Sequence, residues 1–404
     1  MVTQIPPTGT PRALAEIAYD DTTWDRPWHL ARGQLTTAER MPSVELDPHG
    51  PMTPIPRGAT LDVGAMTFTD PLTGRGLSGE QFLDRRLFTD ALAVVHDGRL
   101  VYETYRNGMT ESDRHVAHSC SKTLTTMMVG IAVEDGKLDL SSPISELVPE
   151  LAALAAWEPV TVQHVLDMAT GIDLEEHYER ADSMYWRYAD AVGYYGGPPD
   201  RRVGALAFVV AELTRAIEPP GVRFNYGSYL TNLLPLAVAH AYGVPAVDLY
   251  EDRIYRHLGA ERPALVNVDS LGNPIVEGQV NLTLRDFVRW GHLLADQGRS
   301  LTGDQVVPAR WVDDTYAPSA GRAAAFGRGE SAEAFPGAEY HNQTWVLEPG
   351  RVATMLGIHG QFCWVDRRTR TMIVGFSSYP VQTHALLSAT QRELWTTVRA
   401  ALVD

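Results

Sequence analysis

With 404 residues the chain is long enough to bury a large core and to divide into two lobes. A hydrophobic content of 44% and a charged content of 21% describe an ordinary globular protein, not a disordered or fibrous one. The net charge of −16 argues against nucleic acid and anionic membrane as partners and says little about substrate. The opening MVTQIPPTGTPRALAEIAYDD has no basic segment followed by an apolar stretch, so it does not read as a signal peptide. No run of 18 apolar residues suggests a membrane span, and cytoplasm is the default compartment. Two cysteines, Cys120 and Cys363, predict no disulfide framework.

Residues 1 to about 60 are proline-rich with scattered tryptophans (Trp24, Trp28), and they predict an extended N-terminal arm with little regular structure. From Ala91, ALAVVHDGRLVYETYR is two β-rich runs around Asp97-Gly98, a hairpin signal. HSCSKTLTTMMVGIAVEDG follows, with apolar residues at helical spacing and Gly136 placed to end the helix. VTVQHVLDMATGI predicts a short helix ending at Gly171, and ALAFVVAELTRAI and SYLTNLLPLAVAHAYG predict apolar helices. EEHYERADSMYWRYADAVGYYGGPPD predicts a long, aromatic, irregular loop. NLTLRDFVRWGHLLADQG is amphipathic. A glycine-rich stretch (321–337) and three strand-like runs come next, and HALLSATQRELWTTVRAAL closes the chain as a helix. The order predicts an α+β fold: an antiparallel sheet built from both ends of the chain and flanked by helices, with an all-helical second lobe. The boundaries are an arm over 1–60, an α/β domain over 61–132 and 281–404, and a helical lobe over 133–280.

Ser119 and Lys122 form Ser-x-x-Lys at the start of the central helix, one turn apart on one face. A serine hydroxyl is a weak nucleophile and needs an adjacent base, which lysine supplies only in its neutral form. A helix N-terminus also offers a free backbone N–H to an oxyanion. The bland alternative is a helix start with a surface lysine. Against it stands residue usage: of 34 Lys and Arg residues only Lys122 and Lys137 are lysine. Arginine would serve for solubility or an ion pair but cannot give up its proton. Cys120, beside Ser119, reads as a small buried residue.

HDGRLVYETY, Ser-Cys-Ser-Lys with EDGKLDLSSPISELVPEL, VQHVLDMATGI, FNYGS, RDFVRWGHLL and GIHGQ, in this order, resemble the serine β-lactamase and penicillin-binding superfamily. Within it the chain is similar to the class C β-lactamase-like branch with the family VIII carboxylesterases, and most of all to the 6-aminohexanoate-dimer (nylon oligomer) hydrolases. The resemblance spans roughly residues 85–380 and the WDRPWHLA opening. It implies the β-lactamase/transpeptidase-like fold, Ser119 as acylated nucleophile, Lys122 as its base, and Tyr226 of Tyr-x-Ser as proton donor. It further implies the N–H groups of Ser119 and Ile358 as oxyanion donors. Tyr178 and Trp345 are implied as substrate-binding residues, and His359 as polar lining or a packed strand residue. GIHGQ stands where β-lactamases carry Lys-Thr-Gly, so the cation that holds a β-lactam carboxylate is missing. Asp190 lies near the place where the nylon-oligomer branch carries a carboxylate that meets the substrate's free amine.

No metal or nucleotide motif is present, and acyl transfer to water needs no cofactor. The expected activity is a serine hydrolase cleaving small-molecule amides or esters through an acyl-enzyme. The alternatives are an acyltransferase passing the same acyl group to an amine or alcohol, and a penicillin-binding-like sensor that acylates without turnover. A homodimer is left open.

Overall fold

The computed structural model describes residues 22–196 and 198–403. The main sheet has seven strands: β4 (Thr89–His96), β5 (Arg99–Tyr105), β9 (Glu339–His341), β10 (Thr344–Glu348), β11 (Val352–Gly357), β12 (Gln361–Asp366) and β13 (Thr371–Ser377). Their order is β5-β4-β13-β12-β11-β10-β9, antiparallel throughout, so the two ends of the chain meet at the β4–β13 pair. The β4–β5 turn has positive φ at both Asp97 and Gly98, the conformation an Asp-Gly hairpin demands.

Both faces of this sheet are covered. On β4, Ala91, Ala93 and Val95 join the core that contains the helix Cys120–Glu134. Leu92 and Val94 point the other way, onto Leu394, Trp395 and Val398 of the C-terminal helix Ala385–Val403. This two-residue alternation explains why β4 reads as a continuous apolar run.

A second sheet of four strands positions the site. Its order is β1 (Ser43–Leu46), β7 (Ala264–Asn267), β8 (Val280–Leu282), β6 (His115–Val116). β6 pairs with β8, and Ala117 N–H donates to Val280 O at 2.8 Å. The chain leaving β6 toward Ser119 is thereby fixed beside the chain entering β8. Three expectations change here. The N-terminal arm is not simply extended, because it forms short helices at Leu30–Gly33 and Thr37–Arg40 and supplies β1. The segment 133–280 is not all-helical, since it contains β7. The aromatic stretch after Tyr178 is no open loop: it holds the helix Met184–Val192, with Tyr185, Tyr188 and Tyr194 buried. Aromatic rings recurring at i and i+3 there outweigh the scattered glycines. The glycine-rich stretch likewise begins inside a helix, Ala320–Phe326. Among the described residues no single helix is long and apolar enough to cross a membrane.

The helix Cys120–Glu134 is buried from Cys120 to Ala132 and ends as expected, with Gly136 left-handed just beyond it. Its Gly130 lies against Trp311, and a Cβ there would sit 2.4 Å from the indole Cγ. A helical Gly→Ala change normally stabilises by about 1 kcal/mol. Here Gly130→Ala is expected to destabilise by about 1–3 kcal/mol through overpacking, read by denaturant unfolding. A gain in stability would show that Trp311 has room to yield.

Candidate active site

Ser119 occupies the N-cap position of the helix Cys120–Glu134, half-buried, while Lys122 is buried at 1% exposure. Lys122 Nζ has three oxygen neighbours: Ser119 Oγ at 2.9 Å, Ser228 Oγ at 3.0 Å and the backbone oxygen of Glu277 at 2.6 Å. The lysine is thus a packed component of the core's polar seam and not the edge of a solvated cleft. Arginine, larger and forked, has no room in that arrangement.

Behind Ser228 stands Glu176. Its Oε2 accepts the Ser228 N–H at 2.6 Å, and its Oε1 accepts the Ser228 hydroxyl at 2.9 Å and the Tyr178 hydroxyl at 2.5 Å. Glu176 was not singled out from the sequence, although an extended chain over LEEHY puts residues 176 and 178 on one side. Tyr226 packs its ring under Lys122 Nζ, 5.1 Å from the centroid, and stacks on Trp345 at 5.7 Å. Burial pushes the Tyr226 phenol above its ordinary value. The Lys122 charge and hydrogen bonding to Ser119 and Lys122 oppose that rise without cancelling it.

Ser119 lies where two cavities meet. One is an open groove of about 730 Å³ lined by Tyr226, Trp345, Phe224, Phe335 and Leu387 among others. The other is a recess of about 20 Å³, lined by Trp24, His118, Tyr185, Tyr194, Glu277 and Gln279. Ser119, Tyr178 and Ile358 border both. β11 ends at Gly357 against the turn before Ser119, where a Cβ would come within 2.8 Å of Ala117 O. Only glycine permits this approach, which brings Ile358 beside the nucleophile.

His359 is not a lining residue. It is 1% exposed, its Nδ1 is 2.8 Å from Tyr379 O and its N–H donates to Gln382 O, so its ring is packed away from both cavities. Burial lowers its pKa. Of the two readings open for it, the packed strand residue holds. Asp190 also lies outside both linings: it faces Arg201 at 3.6 Å and is 38% exposed. Cys120 is fully buried, and burial holds its thiol well above the usual range, which removes it as a nucleophile.

Residues 80–393 match the Beta-lactamase family. The chain belongs to that family. It is 32% identical over 356 residues to the 6-aminohexanoate-dimer hydrolase of Paenarthrobacter ureafaciens, an alignment covering 87% of this chain and 85% of that one. A solved structure from Bacillus anthracis, assigned as a 6-aminohexanoate-dimer hydrolase, superposes with a TM-score of 0.83 at 23% identity, covering 95% of this chain and 97% of that one. EstCE1, described as a hydrolase with promiscuous acyltransferase activity, shares the fold at a TM-score of 0.59 and 14% identity, covering 79% of this chain and 96% of that one. The protein is accordingly a serine hydrolase of the β-lactamase-like family.

In this Beta-lactamase family member the wall bearing Trp345 is tied to the nucleophile helix. Thr123 and Thr126 hydroxyls donate to Gln343 O (2.6 Å) and Asn342 O (3.1 Å) in the β9–β10 turn. His341 anchors the same turn between Asp167 (2.7 Å) and Asp314 (2.9 Å). Burial alone would lower the His341 pKa, but hydrogen bonds to the two carboxylates outweigh it and raise it to about 8. A folded-state pKa above the unfolded value means that the clamp's stability is fully present below pH ~6.5 and is lost as pH rises through ~8. Wild type is expected to lose stability on the order of 2 kcal/mol across that window, and His341→Gln to be less stable at pH 6 without this decline. Thermal melting at pH 6 and 9 checks it; parallel profiles for the two proteins would refute the clamp.

Proposed function

We propose that this hydrolase cleaves small amides and esters through an acyl-enzyme on Ser119, with Lys122 as general base and Tyr226 as proton donor to the leaving group. The observation that carries the reading is the set of three oxygens around Lys122 Nζ. The Glu277 backbone oxygen can only accept. Ser228 Oγ has its own proton directed to Glu176, so toward Lys122 it too presents a lone pair. A neutral amine has two N–H bonds and one lone pair. With both N–H bonds taken by these acceptors, the lone pair is left facing the Ser119 hydroxyl. The geometry supports a base and not a mere counter-charge.

In the forward step Ser119 Oγ attacks the carbonyl carbon and its proton passes to Lys122. The oxyanion faces the N–H groups of Ser119 and Ile358, which need no reorganisation to receive it. As the C–N or C–O bond breaks, the leaving group takes the Tyr226 proton, and the Lys122 ammonium returns a proton to the phenolate. Burial keeps Tyr226 protonated until that moment. Water then attacks the acyl-enzyme by the reverse sequence, releasing acid and regenerating Ser119. The 6-aminohexanoate-dimer hydrolase likeness supports an amide substrate. The buried His359 offers no cation to a β-lactam carboxylate, which argues against penicillins.

A fluorophosphonate is expected to label Ser119, located by peptide mass spectrometry. Glu176→Gln is expected to slow labelling by about 10²-fold, because a side-chain N–H turned toward Ser228 sends the serine proton onto Lys122 and occupies the lone pair. Label elsewhere, or unchanged kinetics in Glu176→Gln, would refute the arrangement. Tyr226→Phe is expected to reduce anilide hydrolysis about 10²-fold or more while p-nitrophenyl ester hydrolysis falls far less, since p-nitrophenolate leaves without a proton. Equal losses in kcat on the two substrates would exclude the donor role.

A further inference from the structure

The recess beside Ser119 holds three buried side-chain atoms that have no hydrogen-bond partner among the described residues: Glu277 Oε2, Gln279 Oε1 and His118 Nε2. Their residues are 2%, 4% and 4% exposed. Orphaned buried polar atoms each cost on the order of 1–3 kcal/mol, and three around one small space mark a place that a guest completes. Two of the three atoms are acceptors. The imidazole nitrogen can be a third, so the guest must bring several donors. The rest of the wall is aromatic, with Trp24, Tyr178, Tyr185 and Tyr194. A carboxyl group among ring faces is the surrounding that suits an ammonium ion.

Glu277 is held in place independently of any guest. Tyr188 donates to its Oε1 at 3.0 Å, and Tyr194 donates to the same oxygen. Both phenols come from the aromatic stretch around the helix Met184–Val192. Its other oxygen is left for the recess. Trp24 is fixed too, its indole N–H donating to Tyr194 O at 3.2 Å and the Arg40 guanidinium lying 4.4 Å from its ring centroid.

Which half of the substrate enters follows from the proposed mechanism, on which this inference rests. Tyr226 borders the groove and not the recess. A leaving group that takes the Tyr226 proton therefore departs through the groove, and the acyl part lies in the recess. The recess has room for about one water-sized group, and Glu277 begins one amine's width from Ser119 Oγ through their shared contact with Lys122 Nζ. We propose that the enzyme selects short aminoacyl groups, whose primary ammonium fills the recess against Glu277, Gln279 and His118, while it tolerates varied leaving groups in the groove.

The test compares p-nitroanilides in isosteric pairs on the intact protein: β-alanyl against butyryl, and 6-aminohexanoyl against heptanoyl. Expected is a kcat/KM for β-alanyl at least tenfold above butyryl, a smaller preference in the longer pair, and collapse of the β-alanyl/butyryl ratio toward one in Glu277→Gln, whatever that variant's absolute rate. At matched ionic strength, n-propylammonium is expected to compete with p-nitrophenyl butyrate in wild type, and 1-propanol is not; this keeps the proposal testable if Glu277→Gln fails to fold. A β-alanyl/butyryl ratio near one in wild type, equal inhibition by ion and alcohol, a ratio unchanged in Glu277→Gln, or a larger preference in the longer pair would each overturn it. Fluorophosphonate labelling of the same preparation separates the two readings: a labelled Ser119 with no ammonium preference overturns the recess proposal alone, whereas an unlabelled Ser119 overturns the acyl-enzyme reading beneath it.

Discussion

Everything around Ser119 depends on one desolvated amine. Lys122 is buried, and each oxygen within hydrogen-bond distance of it comes from a different part of the chain: its own helix, the Tyr-x-Ser turn and the approach to β8. Burying an amine is costly unless its hydrogen-bonding positions are satisfied. The fold supplies that satisfaction by pairing β6 with β8, which fixes Glu277 beside the Ser119 turn, and by setting Glu176 behind Ser228. The aromatic packing of Tyr226 on Trp345, and the threonine ties from the nucleophile helix to the β9–β10 turn, hold the remaining wall against the same amine.

Much of this was legible in the sequence. Asp97-Gly98 announced its hairpin because only residues tolerant of positive φ make that turn. The nucleophile helix, its glycine stop and the meeting of both chain ends in one sheet followed from periodicity and order. What escaped were features set by non-local pairing. β1 is four residues in a proline-rich arm and becomes a strand only because β7 offers it an edge. The helix Met184–Val192 was hidden by the loop-like residues on either side of it, and tertiary packing of its tyrosines decided the matter. Glu176 and Glu277 lie in stretches with no motif. A carboxylate reads as solvated surface until the fold surrounds it with tyrosines.

His118 is a non-glycine residue in the left-handed region, and so is His359. Such residues persist when the surroundings over-determine them, and they concentrate at functional sites. Here they flank Ser119 and Ile358, and their rings lie 5.7 Å apart. A more relaxed backbone at either position would rotate the adjacent peptide N–H. The strain is thus coupled to the direction of the two amides on which oxyanion stabilisation rests in the mechanism.

The unequal size of the two cavities meeting at Ser119 fixes an order of events. On the acyl-enzyme reading, the departing half of the substrate occupies the wide groove and the retained half the closed recess. The first product diffuses away while the second is still covalently held, so the longest-lived intermediate has a vacant groove of about 730 Å³ facing its ester. Whatever refills that space next, water or a second nucleophile, meets no further selection from the recess. Partition between hydrolysis and transfer is then a competition for groove occupancy, governed by the concentration and residence of the incoming nucleophile and independent of how the acyl group was chosen.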